Sequence, residues 1–249
     1  EDNQKLQMMK YSFLLVGIWW IGFSQYSYYY LPNTKNTNKL HRNVVFNGFK
    51  ELRKVWHQLK ELKPLRRYLA AFFVYSMAVQ TIMIIAAYFG EKEVQWGSDS
   101  KRTMGLIVSI LLIQLIAVLG AWLTSKASTK FGNIKVLIFI NFSWILICTY
   151  AYFVITPNDF YIAAAFVGLV MGGIQSLSRS TYSKFIPANT VDTTSFFSFY
   201  DVAEKIGIVI GMFTYGYIAD VTGKIQNAIL FLILFFVVGL LLLLRVPKK

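Results

Sequence analysis

The chain has 249 residues, 56% of them hydrophobic and only 15% charged, with a mean hydropathy of +0.50. That is too apolar for a soluble globular domain and predicts an all-α membrane protein, because barrel strands give short alternating segments rather than runs of about 20 apolar residues. The formal charge of +13 does not point to nucleic acid, since the basic residues follow membrane sidedness.

Glu1 opens a polar stub without an initiator Met or a signal-peptide pattern, so the sequence reads as cut out of something longer. Seven runs are long and apolar enough to predict spanning helices: Tyr11–Tyr30, Tyr68–Phe89, Met104–Leu123, Val136–Ile155, Phe160–Thr181, Ser195–Ile218 and Ala228–Leu244. With the first running from outside to inside, eighteen basic residues gather on the inner side, from Lys35, Lys39 and Arg42 to Arg245, Lys248 and Lys249. Six, Lys5 among them, fall outside, and Lys205 is intramembrane. Positive charge accumulates on cytoplasmic loops, so the N-terminus is expected outside and the C-terminus in the cytoplasm; the expected setting is a bacterial cytoplasmic membrane.

Between the first two spans lies a polar stretch, Leu31–Arg67. It divides the chain into a single helix (1–30), a basic connector (31–67) and a six-helix bundle (68–249). Leu31-Pro-Asn-Thr-Lys-Asn-Thr-Asn38 is linker chemistry. After it, Val45, Phe49, Leu52, Trp56 and Leu59 recur at helical spacing, opposite Lys50, Arg53, Lys54 and Lys60. Such a helix either lies in the membrane interface against anionic lipid or serves as a connector with a solvated face.

The sixth run holds the feature from which function is sought. Asp201, Glu204 and Lys205 lie within one turn, with Lys205 about 16 Å along the helix, near mid-membrane. Ionisable groups there cost about 2.5–3.5 kcal/mol each on the lenient insertion scale, so by default they mark a pathway, a relay or a counter-ion. Asp201 and Lys205, four apart, could pair within the helix; Glu204 then remains as a carboxylate needing a partner or a proton. The fifth run ends in Gly172-Gly-Ile-Gln-Ser-Leu-Ser-Arg-Ser180, polar for a span. Its Gln175 and Ser178 share a face, and Arg179 either reaches the inner headgroups or pairs with Asp201 or an anionic solute. Gln80 and Thr81 in the second run, and Gln114 in the third, are set for interhelical hydrogen bonds or ligand contacts. Gly168, Gly172 and Gly173, with Gly207, Gly211 and Gly216 on the next helix, suit close packing of backbones. Cys148 reads as a small core side chain. No metal-ligand spacing, P-loop or nucleophile elbow occurs, so neither an enzyme nor a cofactor is expected.

Asp201-Val-Ala-Glu-Lys-Ile-Gly207 has the aspartate-to-lysine spacing of the microbial rhodopsin retinal helix, but that helix is the last in its family and here another span follows. A broader resemblance covers nearly the whole chain. Trp19-Trp-Ile-Gly-Phe-Ser24, Val79-Gln-Thr-Ile82, Gly172-Gly-Ile-Gln-Ser-Leu-Ser-Arg-Ser180 and Ser195-Phe-Phe-Ser-Phe-Tyr-Asp-Val-Ala-Glu-Lys-Ile-Gly207 resemble the C-terminal half of the vacuole-effluxer group of the major facilitator superfamily. That group includes a fungal autophagy-related amino-acid exporter and bacterial relatives of unknown substrate. The resemblance implies that the seven spans correspond to helices six to twelve of a twelve-helix fold, with the N-terminal half absent from this chain. Lys205 matches the group's pattern. The superfamily's inner-loop signature is only faintly echoed by Ser125–Lys135, with Thr129 in the acidic position.

The reading is therefore part of a secondary active transporter working by alternating access across the lipid bilayer. Lys205 and Arg179 would attract a carboxylate-bearing small solute, by the resemblance an amino acid. Gln80, Thr81 and Gln175 would supply neutral hydrogen bonds, and Glu204 or Asp201 would exchange a proton. A membrane scaffold or receptor, in which the charges only specify helix pairing, is the competing reading.

Overall fold

The computed structural model describes residues 2–31, 44–187, 190 and 192–247, without the side chains of residues 2, 3, 5 and 44–47. The linker over 32–38, the charges of Lys35, Lys39, Arg42, Lys248 and Lys249, and the side chains of Lys5 and Val45 lie outside that description. The described residues form eight helices: α1 (Asp2–Tyr30), α2 (Val44–Glu61), α3 (Lys63–Glu93), α4 (Asp99–Phe131), α5 (Asn133–Ala151), α6 (Pro157–Phe185), α7 (Thr193–Thr222) and α8 (Ile225–Leu244). Six of them, α1, α3, α4, α5, α6 and α8, are long and apolar enough to cross a membrane. The expected seventh, α7, is 30 residues long but is not among those six; it carries Asp201, Glu204 and Lys205.

The chain separates into two compact units, Glu1–Val44 and Val45–Lys249. In the first, α1 is a single helix with ring contacts between turns, Trp19 against Phe23 and Tyr26 against Tyr30. The second holds α3 to α8 together with most of α2.

Each helix of the second unit is set by local chemistry. Pro64 occupies the first turn of α3, where its missing N–H costs nothing. Ser98 accepts from the Lys101 N–H to start α4, and Thr156 with Asp159 closes a capping box on α6. Asp192 caps α7, accepting from the Ser195 N–H at 3.3 Å and the Ser195 hydroxyl at 2.7 Å. Gly132 (φ 85°) makes the turn between α4 and α5, and Gly223 (φ 64°) ends α7 in the left-handed region that β-carbons disfavour. The short loops before α4 and α6 are tied where the Gln95 N–H donates to the Ile155 carbonyl.

Most helices extend past the expected runs, and two boundaries shift otherwise. α5 ends at Ala151, not Ile155, and α3 begins at Lys63, so Arg66 and Arg67 stand in the first turns of a span rather than in the connector. The buried stripe of α2 also differs from the expected one. Val55 and Leu59 are buried, whereas Phe49 and Trp56 are exposed. The stripe is rotated because this helix packs on the bundle through Val55 and Leu59, while the exposed Trp56 ring stands 6.1 Å from that of Phe199.

Apolar side chains gain little by leaving lipid, so close backbone approach has to hold such a bundle together. On α6 a β-carbon at Gly172 would run into the Ala117 carbonyl, and one at Gly173 into the Thr124 side chain. Gly120 of α4 reciprocates against the Leu169 carbonyl. The pair α4/α6 is thereby locked, as α3/α7 is at Gly211 and α3/α8 at Gly239, which lies against Tyr75. Between α5 and α8, Trp144 stacks flat on Phe236, both fully buried.

Candidate functional site

Three helices bring their midpoints together. Gln80, Gln175 and Lys205 each lie within a few residues of the centre of α3, α6 and α7. Backbones of α3 approach both α6 and α7 closely, while α6 and α7 meet chiefly through long side chains. The space left is a cavity of about 540 Å³. Its wall includes Gln80, Gln175, Arg179, Glu204 and Lys205, five of the residues that sequence singled out.

Helical periodicity explains most of that lining. Phe72, Ser76, Val79 and Gln80 form one face of α3, and Tyr200 lies one turn before Glu204 on α7. Phe72 and Tyr200 stack with ring centres 4.0 Å apart and close one side of the cavity. Sequence reasoning passed over these aromatics; their spacing of four from Ser76 and Glu204 was the available signal.

Polar contacts hold the wall in shape. The Gln80 amide donates to Glu204 Oε1, joining α3 to α7. The Tyr75 hydroxyl and Ser178 Oγ are 2.7 Å apart, and the Tyr68 hydroxyl donates to the Ser178 carbonyl at 2.8 Å, joining α3 to α6. Tyr182 donates to the Phe196 carbonyl at 2.8 Å, tying α6 to the first turn of α7. Gln175 Nε2 sits 3.4 Å from Met83 Sδ.

The charges divide differently from the simplest expectation. Asp201 pairs with Arg179 of α6 at 3.3 Å, not with Lys205 one turn along its own helix. Arg179 lies at the same time over the faces of Phe197 and Tyr200, 5.3 Å and 6.0 Å from the ring centres, so its half-exposed side chain is steadied against α7. Among the described residues, Lys205 has no ion-pair or hydrogen-bond partner. It opens onto the cavity.

Two expected positions fall elsewhere. Thr81 is fully buried, donates to the Met77 carbonyl at 2.6 Å and fills the space beside Gly211. It serves the α3/α7 packing and is not part of the cavity wall, because one step of about 100° from Gln80 turns it toward α7. Asp201 likewise is not in the wall; it acts through Arg179.

This arrangement can bind an anionic or zwitterionic solute: one unpaired ammonium, a carboxylate held by an amide, neutral donors and an aromatic side wall. A model of the family described as "Vacuole effluxer Atg22 like" matches residues 1–249. An uncharacterised MFS-type transporter, YxiO of Bacillus subtilis, is 29% identical over 244 residues, 96% of this chain and 54% of that protein. Autophagy-related protein 22 of Yarrowia lipolytica is 24% identical over 96% of this chain and 45% of its own length. Among solved structures the fucose:proton symporter FucP of E. coli is similar in fold, with a TM-score of 0.59 and 19% identity over 88% of this chain and 50% of that one. The chain spans about half the length of the curated relatives it matches.

Proposed function

Given that the chain belongs to the Atg22-like vacuole effluxer family, we propose that it is the cation-bearing half of a secondary active transporter for a small carboxylate, with an amino acid as the substrate class. The observation that carries this reading is Lys205, an ammonium at mid-helix facing a cavity without a partner among the described residues. Holding an unpaired charge at membrane depth is costly. A solute carboxylate is the natural compensation, and its binding would draw on the same desolvation cost.

In this reading Gln175 and Ser178 offer neutral hydrogen bonds, and the Phe72–Tyr200 pair excludes water from one side. Glu204 is the proposed proton carrier, because it reaches the cavity next to Lys205 and its amide partner Gln80 can act as donor or acceptor as the carboxyl changes state. Asp201 fixes Arg179 as the second cation. A partner half would close the opposite wall, with rocking of the two halves exposing the cavity to each side in turn. The N-terminus is proposed outside and the C-terminus in the cytoplasm, in the sense of the basic residues.

The test is uptake of amino acids and other small carboxylates into proteoliposomes of the full-length protein, with and without a proton gradient. Lys205→Met is expected to lower carboxylate uptake by about 100-fold, the effect of stranding a charge opposite an apolar group. Unchanged uptake in that variant would refute the assignment. A membrane scaffold would show no flux at any pH.

A further inference from the structure

Away from the central cavity, two adjoining spaces of about 560 and 570 Å³ open beside the start of α3 and share Arg66 and Ala70. The first is a groove between α2, α3 and α7, apolar along Leu69, Phe73, Val202 and Ile206. The second runs from Arg66 and Arg67 to Leu242 and Arg245 at the end of α8. No acidic residue lines either one.

The geometry points to a bound anionic phospholipid, its phosphate on Arg66, Arg67 and Arg245 and an acyl chain in the groove. Three features together support that occupant. The cations come from the ends of two different spans, and Arg67 is steadied by donating to the Arg245 carbonyl at 3.4 Å. None of the three arginines is ion-paired among the described residues, so their charge is available to a phosphate. The apolar lining continues from them into the spanning region: Arg66 to Phe73 on α3, and Phe199 to Ile206 on α7, each cover about 10 Å of helix. That is the order in which a phospholipid presents its parts, headgroup first and chain beneath. Lys60 lies at the groove mouth as a further cation and Trp56 as an amphipathic ring, both at home at a membrane interface. General attraction of inner-side cations to an anionic leaflet would need neither the groove nor the meeting of α3 and α8.

The test follows thermal unfolding of the full-length protein in detergent with added phosphatidylglycerol, phosphatidylcholine or inorganic phosphate. Phosphatidylglycerol alone is expected to raise the melting temperature. Arg66→Gln and Arg245→Gln should each raise the half-saturating lipid concentration about fivefold. Ala70→Trp, which blocks the junction of the two spaces, should abolish the response while melting as the wild type does in phosphatidylcholine. Equal stabilisation by inorganic phosphate would overturn the proposal, because an anion site alone would then suffice. So would unchanged half-saturation in both arginine variants. A lowered melting temperature of Ala70→Trp in phosphatidylcholine would mean that protein, not lipid, packs in the groove, and would equally overturn it.

Discussion

Arg179 Nη1 lies 3.3 Å from Asp201 Oδ1, a contact between α6 and α7 that takes the aspartate away from Lys205 on its own helix. One interhelical pair thus leaves one cation over. Both partners are about half exposed, at 55% and 46%, so the pair is expected to contribute modestly. A double-mutant cycle with Arg179→Ala and Asp201→Ala, read by thermal unfolding, should give a coupling of about 0.5–1 kcal/mol. Independent effects of the two substitutions would show that the contact does not join the helices.

The Tyr75–Ser178 contact should weigh more, because both groups are buried. Ser178→Ala strips the Tyr75 hydroxyl of its 2.7 Å partner and leaves it Tyr68 at 3.4 Å, at a cost of about 1–3 kcal/mol. Adding Tyr75→Phe removes the stranded hydroxyl, so the double variant should lose less than the sum of the singles. Strict additivity would argue against a shared bond.

Glycines of one helix type should divide sharply. Gly172→Ala forces a methyl into the Ala117 carbonyl and is expected to destabilise by about 1–3 kcal/mol or block assembly. Gly216 has nothing within 4 Å of where a β-carbon would stand, and Gly216→Ala should be neutral or slightly stabilising. Expression level and melting temperature of the two variants decide the matter; similar behaviour would contradict the tight α4/α6 seam.

Asp192 ahead of α7 gives a pH dependence. The Ser195 hydroxyl beside it holds its carboxyl below the ordinary 3.8, with Lys54 of α2 adding at 3.8 Å. A folded-state pKa below the unfolded one means that its contribution is complete above about pH 4 and is lost as pH falls through the folded value. Asp192→Ala should cost about 1 kcal/mol at neutral pH, whereas Asp192→Asn keeps the cap and loses only the contact with Lys54. In unfolding measured from pH 7 to pH 3, the gap between wild type and Asp192→Ala should narrow below about pH 4, as the charge-dependent part of the cap is lost. A gap constant over that range would exclude a charged cap.

The lengths of most of the apolar runs were legible from composition, since a bilayer demands about 20 apolar residues per span whatever the tertiary arrangement. The charged cluster on α7 was legible for the same reason: three charges inside an otherwise apolar run stand out. Periodicity also put Gln175 and Ser178 on one face of α6, where both meet the cavity. Only the folded bundle decided which helix each face would meet. Arg179, 22 positions before Asp201 in sequence, outcompetes Lys205 because α6 presents it across a side-chain gap, and Thr81 turns to Gly211 because the glycine lets α3 and α7 touch. Helical pitch fixes neighbours along one rod, whereas the rotation of each rod follows from where small residues allow two backbones to approach. That rotation left Lys205 facing open space.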